Sequence, residues 1–405
     1  MKSDKKIIAT LKINKKIKYS ALIIIIISQF LISGCWNYNE INNTAIPLAV
    51  GFDYKDNQAL LSIQVANPSG QEAGSGGSGG SGGSSPKSLV VTATGSNIIE
   101  AARRVLLSFP RTPIYAHAHT LVIGESVATK DLALIMDILA RNKNFRKAAN
   151  LYVFSGGTVD KCMQAQLPPE AYSVPGLDKM IKNQELLLGI YFPISLGKFE
   201  EKLDNPGIDA YAPRVIIKNK TLTLDGMAVF KGRKMAGVLN EKESRGFRFL
   251  RPDQINGGIL SVNYPPGSYE GNPKLIVIEL IRSQASVKPN INSNGITMRI
   301  KITAEANYYG QNSLDNILTI DDIKGIEAAC NRQITSDIQA SVSHCQSLES
   351  DVFGWGQLIG RTQPAEWNEL KNDWPSTFAG VKTDIKVNLK IRRSYLTNKT
   401  FKFRE

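Results

Sequence analysis

The chain has 405 residues, a formal net charge of +13 and 42% hydrophobic residues, which is enough to bury more than one core. The first 19 residues contribute +6 of this charge and leave about +7 for the rest. Such a mild excess gives only weak support for nucleic-acid binding and suits a protein beside an anionic membrane.

A basic segment and a short apolar run open the chain. Residues 1–19 hold seven lysines and one acid, and residues 21–32 are an apolar run of 12 residues with five consecutive isoleucines. A transmembrane helix needs about 20 apolar residues, so this run is too short to span a bilayer. The pattern predicts the hydrophobic core of a signal peptide that covers residues 1–34.

The end of the run fits a lipobox, in which an aliphatic residue and two small residues precede a cysteine: Ile32, Ser33, Gly34 and Cys35. The thiol of Cys35 would become the thioether of a diacylglyceryl group, and the small residues give the signal peptidase access to the backbone. Two acyl chains of the palmitate type anchor a protein more stably than one. An ordinary secretory signal with an incidental Cys35 is the alternative, but the basic segment, the run and the box together favour a lipoprotein.

The other cysteines do not indicate a disulfide framework. Three remain after Cys35, namely Cys162, Cys330 and Cys345, and an odd number is unsuited to full pairing. Cys330 and Cys345 fall on one predicted helix about 22 Å apart, whereas a disulfide needs Cα atoms within about 7 Å. We therefore expect buried free thiols. No later segment is long and apolar enough to predict a membrane span.

Residues 36–192 are predicted to form a mixed α/β N-terminal domain. Predicted strands alternate with predicted helices: strands 45–52, 60–65, 90–94, 120–123 and 151–154, and helices 97–107, 130–141 and 158–165. Residues 69–85 are almost all Gly and Ser, which predicts a flexible loop between two strands of a hairpin. An engineered insertion is the alternative explanation of that stretch.

A connecting segment rich in Pro and Gly, 193–220, separates this domain from a predicted α+β C-terminal domain at 221–396, and 397–405 is a tail. The elements of the C-terminal domain are a hairpin at 221–239, a half-buried strand at 296–306, a helix at 323–359 and a last strand at 381–392. The long helix follows from apolar residues at a period of about 3.6; Gly354, Gly356 and Gly360 indicate that its last turns kink or end early. The predicted fold class is α+β, with the C-terminal strands packed around this helix.

Few residues suggest chemistry. His117 and His119 would offer two metal ligands, but zinc takes three or four, and His344 lies in the other predicted domain. A solvent-facing or hydrogen-bonded histidine pair is therefore favoured. Asp137 and Arg141, with Arg146 nearby, are typical of a structural ion-pair cluster.

The sequence contains no nucleophile elbow, P-loop or dinucleotide-binding fingerprint. We predict no catalytic, metal-binding or cofactor-binding residue. The last strand and tail are basic, through Lys382, Lys386, Lys390, Arg392, Arg393, Lys399, Lys402 and Arg404. Such a run is usually a solvated face; lipid headgroups or an acidic partner are the alternatives.

Several stretches resemble the Ger(x)C family, the lipoprotein C subunits of spore germinant receptors. They are Gly34-Cys35-Trp36 to Glu40-Ile41, His119–Glu125 with Ala128, Asp137–Arg141 with Arg146, Gly226–Lys231 with Gly237–Leu239, and Asp351-Val352-Phe353-Gly354-Trp355-Gly356 followed by Arg361, Pro364, Trp367, Trp374 and the last strand. The resemblance covers essentially the whole chain after the leader. The Gly/Ser stretch at 69–85 departs from the family pattern where a loop is expected.

This resemblance implies a non-enzymatic subunit, anchored through Cys35 on the outer face of the spore inner membrane or cell membrane. Its expected partners are two integral membrane proteins, the A and B subunits of a receptor that nutrients trigger. Which nutrient acts, and whether this subunit contacts it, stays open.

Two other functions fit the sequence less well. A solute-binding lipoprotein of a transporter would need two similar α/β lobes around a cleft, and the two halves differ in pattern. A lipid-anchored hydrolase would need a catalytic constellation that the sequence does not offer.

Overall fold

The computed structural model describes residues 19–20, 23–24, 43–67, 88–142, 144–264, 275–312 and 319–394. The chain divides into two compact units, Met1–Thr44 and Ala45–Glu405. In the first unit, residues 19–20 and 23–24 are helical. The second unit contains the three described hydrophobic cores, so we expect it to fold without the residues that precede it.

Eight strands form the first sheet. They are β1 (Pro47–Lys55), β2 (Gln58–Ala66), β3 (Ser88–Gly95), β4 (Thr120–Gly124), β5 (Asn150–Phe154), β6 (Tyr211–Lys218), β7 (Thr221–Lys231) and β8 (Lys234–Leu239). Their spatial order is β8-β7-β6-β5-β4-β1-β2-β3. The four central strands, from β6 to β1, run parallel, and antiparallel strands extend the sheet at both ends.

Six helices cover both faces of this sheet. They are α1 (Ile98–Arg104), α2 (Glu125–Lys130), α3 (Ala133–Arg141), α4 (Val159–Gln164), α5 (Ser173–Leu187) and α6 (Leu196–Asp204). Leu121 and Ile123 of β4 share a core with α1, α2, α3 and α6. Val122, between them, shares a different core with α4 and α5. Strands buried on both faces need continuous apolar sequence, as β4 has.

The second sheet is smaller and contains longer strands. It consists of β9 (Ile259–Asn263), β10 (Leu275–Asn292), β11 (Gly295–Gln311), β12 (Lys382–Ser394) and the two-residue strand Ile255–Asn256. Strand β10 pairs antiparallel with β9 and β11, and β12 runs parallel to β11. The remaining helices are α7 (Glu241–Phe249), α8 (Ile320–Ser347), α9 (Trp355–Thr362), α10 (Pro364–Leu370) and α11 (Trp374–Ala379). Short elements complete the described chain: strands Thr44–Ala45 and Thr112–Pro113, and 3-10 turns Val105–Leu107, Tyr115–His117 and Lys371–Asp373.

Among the described residues, the elements that pack on the second sheet cover one of its faces. Ile300 and Ile302 of β11 are buried in one core with Ile334 of α8. Lys301 and Thr303, which alternate with them, are exposed. The alternating pattern predicted for this strand is therefore confirmed.

Helix α8 also covers the edge of the second sheet at β12. The Oδ1 atom of Asn331 accepts a hydrogen bond from the backbone N of Leu389 at 2.9 Å. The Oε1 atom of Glu327 accepts one from the backbone N of Ile391 at 2.9 Å. These side chains occupy backbone donors that an exposed edge strand would offer to another chain.

The long helix ends earlier than its apolar period suggests. It begins with a capping box of Thr319 and Asp322 and ends at Ser347, before the glycines that indicated an early end. Glu349 then takes a left-handed φ of +52°. The hydroxyl of Ser350 donates to the carbonyl oxygen of Phe230 at 2.6 Å. This bond holds the segment that follows α8 against the first sheet. The apolar period continues to residue 359 because α9 buries Trp355 and Ile359 in the same core.

The two predicted hairpins lie in the first sheet. Strands β2 and β3 pair antiparallel with Ala66 opposite Ser88, and the Gly/Ser stretch between them lies outside the described residues. Strands β7 and β8 form the other hairpin at the opposite end of this sheet.

The predicted domain boundary at 193–220 stays a prediction. Strand β7 joins β6 through a tight turn in which Asn219 and Lys220 have φ values of +51° and +65°. That turn places 221–239 in the first sheet with the N-terminal strands, although these residues were predicted to belong to the C-terminal domain.

The fold class α+β is confirmed. The first sheet lies between two layers of helices, and the second sheet packs on one long helix. Of the described residues, no helix is long and apolar enough to cross a membrane.

Candidate functional site at the junction of the two sheets

The predicted lipidation site, Cys35, lies outside the described residues, as does the rest of the lipobox. Lipidation therefore stays a prediction. Within the described residues, the most distinctive stretch is the motif from Asp351 to Gly356, which lies where the two sheets meet.

Asp351 organises this motif. Its carboxylate is 1% exposed and caps the start of α9, because Oδ1 accepts from the backbone N of Trp355 at 3.1 Å and Oδ2 from that of Gly356 at 2.8 Å. Oδ2 also accepts from the indole Nε1 of Trp374 at 2.9 Å. Burial raises the pKa of Asp351 to about 7, and these three donors oppose the rise.

Two glycines of the motif are required by geometry. Gly354 has a left-handed φ of +72°, which side-chain-bearing residues adopt only with strain. A Cβ atom on Gly356 would lie 2.6 Å from Nε1 of Trp374. Both features bring α9 close enough to α11 for Asp351 to bind the indole.

A second carboxylate, that of half-buried Asp209, connects the motif to the first sheet. Its Oδ1 accepts from the backbone N of Gly232, in the β7–β8 turn, and its Oδ2 from the backbone N of Asp351, each at 2.9 Å. The backbone N of Asp209 in turn donates to the carbonyl oxygen of Asp351 at 2.8 Å. Burial raises the pKa of Asp209, which the two backbone donors counteract. These bonds hold together three segments of the chain: the one before β6, the turn after β7 and the one after α8.

Aromatic rings continue the junction on its apolar side. Phe247 of α7 contacts Tyr211 and Phe192 edge-on, with ring centroids 4.9 and 5.1 Å apart. It also contacts Phe353 of the motif at 5.4 Å, and Phe353 stacks on Trp355 at 5.1 Å. Such pairs add about 0.5–1.5 kcal/mol each beyond their burial, so they stabilise the junction.

A cleft of about 230 Å³ opens at this junction. Its lining combines aromatic side chains with charged ones and includes Tyr211, Phe247, Phe353, Lys198, Lys202, Glu201, Arg251, Asp253 and Gln357. The Nζ atom of Lys202 lies 5.2 Å from the ring centroid of Tyr211, and burial lowers the pKa of this lysine. Arg251 lies over Phe192 at 4.7 Å and pairs with Glu185 at 2.8 Å. Aromatic faces beside ammonium groups suit the binding of a small anionic or apolar group.

The other residues considered from sequence do not gather here. His117 and His119 are exposed and precede β4, and the described residues contain no group of three metal-ligating side chains. Asp137 and Arg141 form an exposed i, i+4 ion pair at 2.7 Å, without Arg146. In the basic run, Lys390 pairs with Glu327 and Arg392 with Glu305, while Lys399, Lys402 and Arg404 lie outside the described residues.

The three described cysteines, Cys162, Cys330 and Cys345, are free and buried, as expected. Burial raises the pKa of each thiol, to about 12 for Cys330. They are protonated at neutral pH and therefore poor nucleophiles.

Sequence reasoning missed Lys202 and Asp209, because the segment 193–220 was interpreted only as a connection. Helix α6 within it had a detectable signal: Ser195 as N-cap and Leu196, Phe199 and Leu203 at helical spacing. Asp209 had none, since its partners are backbone groups distant in sequence.

Comparisons with known proteins agree with this architecture. The family model "Spore germination protein N-terminal domain" matches residues 37–217, and "Spore germination B3/ GerAC like, C-terminal" matches residues 225–395. The chain is 27% identical over 398 residues to "Putative spore germination protein YfkR" of Bacillus subtilis (strain 168), which covers 95% of this chain and 99% of that protein. It is 24% identical over 407 residues to "Spore germination protein KC" of the same organism, with 94% and 97% covered.

A solved structure, "Crystal Structure of the GerBC protein", matches with a TM-score of 0.55 at 17% identity, over 84% of this chain and 96% of that one. At this identity the likeness shows the fold. With both of its halves matched by the two family models, this chain belongs to the Ger(x)C family of spore germination proteins.

Proposed function

We propose that this protein is the C subunit of a nutrient germinant receptor, held at the membrane by lipid on Cys35. The observation that carries this proposal is the match of both family models, which together span residues 37–217 and 225–395. The names of the relatives, all spore germination proteins, point to the same process.

In this proposal the subunit is non-catalytic and acts through contacts with the A and B membrane subunits. The junction supports such a role. Hydrogen bonds at Asp209 and Asp351 and a series of aromatic contacts hold one sheet against the other. A body of this kind presents a constant surface to its partners, so that binding needs little reorganisation.

The proposed location is the outer face of the spore inner membrane or of the cell membrane. Support comes from the lipobox sequence at residues 32–35 and from the short apolar run before it. Palmitate-type acyl chains on Cys35 would supply the anchor.

Replacing Cys35 tests the anchor. We expect Cys35→Ala to impair nutrient germination. At high salt, which screens contacts between basic side chains and lipid headgroups, we also expect it to shift the protein from the membrane fraction to the soluble fraction. Ser33→Ala is the matched control, because it keeps a small residue in the lipobox and should leave both readouts unchanged. Normal germination and membrane retention in Cys35→Ala would contradict the proposed anchor.

A solute-binding lipoprotein of a transporter is the second candidate, favoured by the cleft beside Lys202. The two sheets differ in strand number and topology, which disfavours the pair of similar lobes that such proteins use. Isothermal titration with amino acids and sugars separates the candidates. Micromolar binding would support the transporter candidate if Lys202→Met abolishes it and Lys220→Met, at an exposed position away from the cleft, preserves it.

A further inference from the structure

The uncovered face of the second sheet carries a compact set of positive charges. Five exposed side chains on three adjacent strands form this set, here termed the basic face: Lys288 of β10, Arg299 and Lys301 of β11, and Lys382 and Lys386 of β12. They alternate with residues that point into the core under α8. The basic face therefore lies on the side of the sheet opposite to the helix.

The strand register places like charges against each other. Lys301 is directly opposite Lys386 in the parallel β11–β12 pair. Lys288 is directly opposite Arg299 in the antiparallel β10–β11 pair. Opposed like charges destabilise a sheet, so folding alone does not account for this arrangement.

Basic residues next to the basic face pair with acidic side chains, whereas those within it do not. Arg282 and Arg392 both pair with Glu305, at 3.0 and 2.9 Å, and Lys390 pairs with Glu327 at 2.8 Å. Among the residues that the structure describes, no side chain of the basic face forms an ion pair. One acid, Asp384, lies among these five positive charges. It is opposite Arg299 in the register but forms no ion pair with it.

The residues between these charges favour a lipid surface over a protein. They are small and polar: Gln284, Ser286, Asn290, Thr297, Thr303 and Asn388. Protein interfaces are built around aromatic and apolar side chains and are depleted in lysine. Neighbouring strands lie about 4.8 Å apart, so the charges form a patch two strand spacings wide that is suited to several phosphate groups at once.

We propose that the basic face binds the anionic headgroups of a lipid bilayer. Each lysine or arginine close to such a surface adds to the attraction, and salt screens it. This contact does not depend on Cys35, and it would orient the second sheet toward the bilayer.

Vesicle binding tests the proposal with the unit Ala45–Glu405, which contains its own cores and lacks both the basic leader and Cys35. The probes are vesicles of phosphatidylcholine with 30% phosphatidylglycerol, and vesicles of phosphatidylcholine alone. The face variant combines Lys301→Gln, Lys382→Gln and Lys386→Gln. The matched control combines Lys218→Gln, Lys220→Gln and Lys234→Gln, which remove equal charge from exposed positions in β6, in the β6–β7 turn and in β8.

We expect the unchanged unit to bind the anionic vesicles and not the neutral ones. Its binding to the anionic vesicles should weaken as the salt concentration rises. The face variant should bind about a hundred-fold more weakly, since each lysine strengthens such binding roughly fivefold. The control should change it about twofold or less, from net charge alone. Circular dichroism should show all three proteins folded.

Equal weakening in both variants would overturn the proposal, because it would reduce the effect to net charge. Failure of the unchanged unit to bind anionic vesicles would overturn it as well. A face variant that keeps vesicle binding but loses an acidic protein from the assembled complex would reassign the face to that protein. The vesicle results do not bear on the receptor-subunit proposal, since no receptor subunit is present in that assay.

Discussion

The two sheets of this protein use strands in contrasting ways. In the first sheet, Leu121 and Val122 are adjacent in sequence and both buried, one under each layer of helices. In the second, Ile302 is buried while adjacent Thr303 is exposed. The first sheet is thus an internal scaffold, whereas the second has one face free to meet something else.

The junction between the sheets should give the largest effect on stability. Asp351→Ala leaves three buried donors without an acceptor, and we expect it to lower the free energy of unfolding by about 4 kcal/mol. Urea denaturation measures this. Asp373→Ala is the control, because this nearby acid is exposed and should change the value by less than about 0.5 kcal/mol. Equal effects would mean that the buried carboxylate does not join the sheets.

Paired substitutions sharpen the contrast between the sheets. Leu121→Ala and Val122→Ala should each lower the free energy of unfolding by about 2–3 kcal/mol, because both side chains are buried. In the second sheet, Ile302→Ala should have a comparable effect and Thr303→Ala almost none. A large loss from Thr303→Ala would indicate that its face is covered in the isolated protein.

The buried carboxylates predict a pH dependence. Burial raises the pKa of Asp351 from 3.8 to about 7, so the folded state binds a proton that the unfolded state releases between these values. The free energy of unfolding should therefore fall as pH rises from about 4 to 7. Asp351→Asn should flatten this slope in urea titrations at pH 4, 5, 6 and 7, although Asp53 and Asp209, whose pKa values burial also raises, will retain part of it. An unchanged slope in the variant would contradict the role of Asp351.

The smallest effect concerns the opposed lysines. Lys301→Gln relieves repulsion from Lys386 and should raise the free energy of unfolding by about 0.3 kcal/mol at low salt. Lys218→Gln, at an exposed position of the first sheet opposite Thr221, should not. The difference should disappear near 1 M salt, where the Debye length is about 3 Å. A destabilised Lys301→Gln variant would contradict the repulsion.

Local patterns in the sequence predicted much of the fold. Alternation predicted β11 and β12, and continuous apolar runs predicted β4 and β5. The early end of α8 was indicated by Gly354, but its position was not, since it depends on Ser350 reaching the distant carbonyl of Phe230. Strand order likewise depends on contacts between distant segments, so the sequence did not predict that 221–239 extends the first sheet.

The candidate site was predicted in part. The motif around Asp351 was recognised from its residues, but its chemistry depends on Asp209, which lies 142 positions away in sequence. Of the basic face, the sequence showed only Lys382 and Lys386, as part of the basic last strand. The register of β11 against β10 and β12 adds Lys288, Arg299 and Lys301 and shows which charges are opposed.

A pull-down from spore inner membranes, with a tag on the C-terminus of this chain, tests the proposed function most directly. The account predicts that two polytopic membrane proteins co-purify with it, as expected for the A and B subunits of a germinant receptor. Recovery of the protein alone, or with components of an ABC transporter, would contradict that account.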